Sequence, residues 1–156
     1  MDISEKWGLP PGFAPVRFDV PEEAKNAVRS VLGANEPVIV SLTNDEELVS
    51  LVATPGRILS VRTQEIGISA GNSQVKTFPY PGIFNLTLRP QPLIVSFVLE
   101  YRTSVNGKTV EIGRRAALGK PKADTLTGFS REQGEAAFNA LVALWKWKKE
   151  QFQGDA

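Results

Sequence analysis

Few side chains in this sequence can do chemistry. It contains no histidine and no cysteine. The commonest general base, the thiolate nucleophile and His–Cys metal sites are therefore excluded. Carboxylates, lysines, tyrosines and hydroxyls are left. Asp45, Glu46 and Glu47 form the densest acidic run. A calcium loop needs spaced oxygen ligands and a glycine at the bend, and this run has neither, so it reads as a solvated turn. Arg114, Arg115, Lys120 and Lys122 form a basic cluster and are candidate contacts for an anion or a lipid headgroup. Arg57, Arg62 and Lys76 form a second basic group on adjoining strands. Charges at alternating strand positions are most often a solvated face. No pattern requires a catalytic residue, a metal or a cofactor.

The remaining candidates are aromatic. Trp147 with Leu144 and Ala140 forms a second stripe on the last helix, about 200° around from Trp145. Trp7 and Phe13 lie in a proline-rich arm with Phe18. Buried aromatic anchors are the side chains that carry most protein interfaces. Leu144, Trp147, Trp7 and Phe13 are therefore the expected interaction residues, either docked within the domain or presented to a partner.

The chain that must position them has 156 residues, enough for one domain with its own core. Eighteen basic and seventeen acidic residues give a net charge of +1. That balance argues against nucleic acid as a main partner. The first residues lack the basic leader and apolar run of a secretory signal, and no apolar stretch approaches the ~20 residues that span a bilayer. The expectation is a soluble, cytoplasmic protein.

Residues 1–20, with Pro10, Pro11 and Pro15, read as an extended arm. A single domain is expected over 21–156. A short helix is expected over 21–33, with Asp19 and Glu22 at capping-box spacing. Seven strands follow between about 37 and 116, at 37–43, 48–54, 57–62, 75–80, 83–88, 92–101 and 109–116. Pro55-Gly56, Pro81-Gly82 and Asn106-Gly107 punctuate them as turns. A helix over 130–152 closes the chain. Ser130 and Gln133 have capping-box spacing, and Phe138, Leu141, Val142, Trp145 and Phe152 share its core face. Lys146, Lys148 and Lys149 fall near its end. Short consecutive strands with tight turns imply an antiparallel sandwich or barrel, mainly β within an α+β class.

Seven strands followed by one helix resemble the bacterial pleckstrin-homology-like domains. The local likeness lies in Thr54-Pro55-Gly56-Arg57, a Thr-x-x-Arg turn, and in Phe78-Pro79-Tyr80-Pro81-Gly82-Ile83, an aromatic-Pro-Tyr-x-x-Ile segment. It covers about 36–151. The resemblance implies a seven-stranded antiparallel barrel capped by the last helix. It implies a non-enzymatic module for protein interaction or self-assembly, with homo-oligomers known in the family. Peripheral lipid binding is the alternative. Phosphoinositide-binding relatives use cations in the first inter-strand loop, where this chain has Asn44-Asp45-Glu46-Glu47.

Overall fold

The computed structural model describes residues 9–33, 35–43, 49–62, 74–90, 94–102, 107–112 and 129–154. The seven expected strands are all present. They are β2 (Val40–Thr43), β3 (Val49–Ala53), β4 (Arg57–Arg62), β5 (Gln74–Pro79), β6 (Ile83–Pro90), β7 (Ile94–Arg102) and β8 (Gly107–Ile112). Two further strands of two residues each join them, β1 (Val16–Arg17) and β9 (Phe129–Ser130). The helices are α1 (Glu22–Val31) and α2 (Arg131–Gly154).

The strands form two sheets, and among the described residues they do not close into a single barrel. One sheet has the order β1-β2-β3-β4-β5 and the other β6-β7-β8. Val95 pairs with Pro90 of β6 and with Phe129 of β9, so β9 continues the β8 edge. The chain changes sheet at a 3-10 turn over Tyr80–Gly82. Pro79 and Pro81 flank Tyr80 there and cannot donate to a ladder. That is the physical reason why the antiparallel run breaks at this corner. Phe78 and Tyr101 bridge the two sheets edge to face, ring centroids 5.1 Å apart.

The arm is part of the first sheet. Val16 and Arg17 pair with Val40 and Ser41 in parallel, and α1 is the crossover between β1 and β2. Pro10 to Phe13 form a turn closed by Phe13 N–H to Pro10 C=O at 3.0 Å, with Gly12 at φ +75°, as a type II turn requires. Leu9 is buried, and Phe13 and Phe18 pack against the core.

The five-stranded sheet is covered on both faces. Ile39, Leu42, Leu51 and Ile58 face the main core with Phe97, Leu99 and α2. Val52, Leu59 and Val61 face a second cluster with Ala24 and Val28 of α1. This explains why β3 is buried at every position.

Two helix starts differ from one another. The Ser130 hydroxyl accepts from Gln133 N–H at 3.3 Å, as the box spacing predicts. Asp19 does not cap α1. Pro21 holds the N-cap position without a side-chain bond. The strand pairing explains the difference, because Phe18 N–H donates to Ser41 C=O and Asp19 C=O accepts from the Thr43 hydroxyl, which keeps residue 19 extended along β2. At the other end α2 runs to Gly154, so its last turn holds no cation. No helix among the described residues is long and apolar enough to cross a membrane.

Candidate functional site

The Thr54–Arg57 turn and the Phe78–Ile83 segment meet in space. Thr54 N–H donates to Arg57 C=O at 2.9 Å, and the Thr54 hydroxyl oxygen accepts from the N–H groups of Gly56 and Arg57 at 3.2 Å. The turn is thus tied from the inside. The Tyr80 phenol then donates to Thr54 C=O at 2.8 Å. Burial pushes the Tyr80 phenol far above its ordinary pKa, so it stays a neutral donor.

Arg57 faces the other way, toward α1. Its guanidinium grips Glu36 in a fork, Nε to Oε2 at 3.0 Å and Nη2 to Oε1 at 2.8 Å, and Nη2 also reaches Val31 C=O at 2.9 Å. Thr54 Oγ1 donates to Glu36 Oε2 at 2.7 Å, and Gly33 N–H to Oε1 at 3.0 Å. The Arg57 hydrogen bonds hold the Glu36 carboxyl down to a pKa of about 2, against an opposing push from burial. Glu36 raises Arg57 in turn. With two bonds on each Glu36 oxygen and the Arg57 fork turned toward α1, this cluster is a clamp that fixes the end of α1 on the β3–β4 turn.

Beyond the clamp lies a recess of about 280 Å³ lined by Tyr80, Pro81, Gly82, Ile83, Phe84, Arg102 and Lys149. Its walls are held from two sides. Tyr80 is bonded to Thr54, and the indole N–H of Trp145 on α2 donates to Ile83 C=O at 2.9 Å. Between Ile83 and Asn85 the register shifts by one residue, so Ile83 pairs with Tyr101 while Asn85 pairs with Glu100. Phe84 is the extra residue of this bulge. It is 39 % exposed, the largest exposure of any big apolar side chain described. Bulges re-aim side chains in this way. The Arg102 guanidinium stands over the Phe84 ring at 5.4 Å, and Lys149 Nζ over the Trp145 ring at 5.2 Å. No described lining residue is acidic. Two cations on aromatic shelves around an acid-free recess make a site for a negatively charged group beside an apolar one.

The expected interaction residues divide. Leu144 is fully buried in the main core, not on an exposed face. It lies about 60° from Leu141 around the helix, inside the same stripe as Ala137, Leu141 and Trp145. Trp147 is half-buried. Phe13 is half-buried against the core. Trp7 and the basic group Arg114, Arg115, Lys120 and Lys122 lie outside the described residues, as do Asp45, Glu46 and Glu47. Arg57 is committed to the clamp and does not join Arg62 and Lys76 in a patch. Five positions separate Arg57 from Arg62 on β4, which puts them on opposite faces. Phe84, Arg102 and Lys149 were not legible as a group, because the bulge that joins them has no signal in the alternation.

Comparison with protein-family models, with curated proteins and with solved structures finds no match.

Proposed function

We propose that this chain is a non-enzymatic binding module of the pleckstrin-homology-like kind, holding an acidic segment of a protein partner in the recess at Phe84, Arg102 and Lys149. The architecture supports the family reading. Leaving aside the two-residue strands β1 and β9, one sheet holds the four strands β2 to β5 and the other the three strands β6 to β8, and α2 packs against both. The non-enzymatic reading rests on how the strongly perturbed groups are used. Glu36 and Arg57 are bonded to each other in a two-pronged pair, and the Tyr80 phenol holds a main-chain carbonyl. The partner reading rests on one observation, the pair of aromatic-shelved cations with an exposed phenylalanine beside them. Aromatic and arginine side chains are the anchors that dominate interfaces. A cytoplasmic setting suits a chain without cysteine.

Self-association is a special case of this reading, with a second copy supplying the acidic segment. It does not run through Leu144, which is spent on the core. Peripheral lipid binding is the second reading, since the same two cations could take a phosphate headgroup.

The test is a titration with a fluorescent glutamate-rich peptide, alongside sedimentation with vesicles containing anionic lipid. An acidic-segment site binds the peptide, and Arg102→Gln with Lys149→Gln weakens it roughly tenfold, since each exposed charge contact is worth up to ~1 kcal/mol. Vesicle binding without peptide binding would favour the lipid reading.

A further inference from the structure

On the opposite side of the five-stranded sheet, α1 and β1 frame a groove of about 340 Å³ that shares no residue with the recess. This places it at the lower end of the range for small-molecule sites. One wall is a single helical face, Lys25, Val28, Arg29 and Leu32, spaced i, i+3, i+4 and i+7. The other wall is the strand and turn from Arg17 to Val20, and Val38 and Val52 form the floor. The groove therefore has an apolar bed along its length.

Its lining is net positive, with Arg17 Nε donating to Val38 C=O at 2.7 Å and Arg29 Nη1 to Asn26 Oδ1 at 3.2 Å. Arg17 stands on the strand wall and Lys25 and Arg29 on the helix wall, with Asp19 the one acidic residue among the lining. Glu22 pairs with Arg29 at 3.5 Å and with Lys25 at 4.0 Å, but it does not line the groove. The polar floor group is already used, because Ser41 Oγ donates to Phe18 C=O at 2.9 Å. An occupant must be aliphatic along the bed and negatively charged at the rim. The groove is also narrow, bounded by one helix and one strand of two residues.

We infer that this groove binds a single-chain amphipathic carboxylate, a fatty-acid-like anion, with its chain along Val28, Leu32, Val38 and Val52 and its head among Lys25, Arg29 and Arg17. The aliphatic chain buries against the bed, and the cations take the head without a covalent step.

The experiment is calorimetric titration of the full chain with hexanoate, octanoate and decanoate, each below its micelle concentration, and with octanol as the uncharged probe. Affinity should rise about fourfold per added methylene until the bed is full, since ~0.8 kcal/mol accompanies each buried CH₂. Lys25→Gln with Arg29→Gln, both exposed positions, should weaken decanoate at least fivefold and leave octanol unchanged. Leu32→Trp, which fills the bed, should abolish both. A circular-dichroism melt within 3 °C of wild type shows that each variant is folded. No decanoate binding at millimolar concentration overturns the inference. So does binding indifferent to chain length, or decanoate binding that the paired charge removal leaves unchanged.

Discussion

The indole N–H of Trp145 donates to the carbonyl of Ile83 at 2.9 Å, 62 residues away in sequence. Trp145 is buried, and the carbonyl it satisfies sits where the chain leaves the 3-10 corner and enters the bulge. One hydrogen bond thus ties the last helix to the least regular part of the second sheet. Replacing Trp145 with Phe keeps most of the apolar volume and removes the donor. The buried Ile83 carbonyl then loses its indole donor, at a cost of about 1–3 kcal/mol. The thermal midpoint should fall by roughly 3–10 °C, at about 2–4 °C per kcal/mol for a chain of this size.

Acid should weaken the clamp. The Glu36 carboxyl has a folded pKa of about 2, below its ordinary value of 4.5. A depressed carboxylate contributes stability that is fully present above the unfolded pKa and is lost as pH falls through the folded one. Stability should therefore decline between about pH 5 and pH 2. The shift at face value is worth ~3 kcal/mol, and partial solvent access reduces this to about 1–2 kcal/mol. Urea midpoints measured across that range should show the decline, and Glu36→Gln should flatten it.

How far this fold was legible depended on whether local pattern or tertiary geometry decided each element. The seven strands and the last helix follow from alternation, turn residues and helical spacing, which are local. The Ser130 cap is equally local, and the structure has it. Asp19 fails as a cap because the preceding segment adds an edge strand, a pairing between residues more than twenty apart. Phe84 alternates with Leu86 and Leu88 and should face the core by period two. The bulge gives the core position to Ile83 and turns Phe84 out. Leu144 reads as a second stripe only if the first is drawn too narrowly, since packing against two sheets at once buries a wider face. The clamp residues stood in the sequence as short motifs, but their partner Glu36 did not, because the bond closes across 21 residues.

Gly134 tests the closeness of α2 to β7. Ala normally stabilises an exposed helix position over Gly by about 1 kcal/mol. Here an added methyl would strike the Val95 side chain, with Phe129 behind it. Overpacking of this kind costs about 1–3 kcal/mol, so Gly134→Ala should be net destabilising, read as a lowered urea midpoint with an unchanged m-value.

Arg57→Ala should be the most damaging single change in the clamp. It strands the Glu36 carboxylate, only 19 % exposed, and frees the Val31 carbonyl at the end of α1. A loss of about 2–4 kcal/mol is expected. Arg57→Lys should recover little of it, because a point charge cannot reproduce the two-pronged bond. Amide exchange in 24–31 should rise in both variants before exchange in the strands does.

The central claim concerns the recess, and one titration addresses it most directly. A glutamate-rich peptide is titrated by fluorescence anisotropy into wild type and into Arg102→Gln/Lys149→Gln, with Phe84→Ala as a third protein, at low and high salt. The account predicts binding to wild type, roughly tenfold weaker in the charge variant, weaker again in high salt, and reduced severalfold by Phe84→Ala. Equal affinity for all three proteins, or none for wild type, would contradict it.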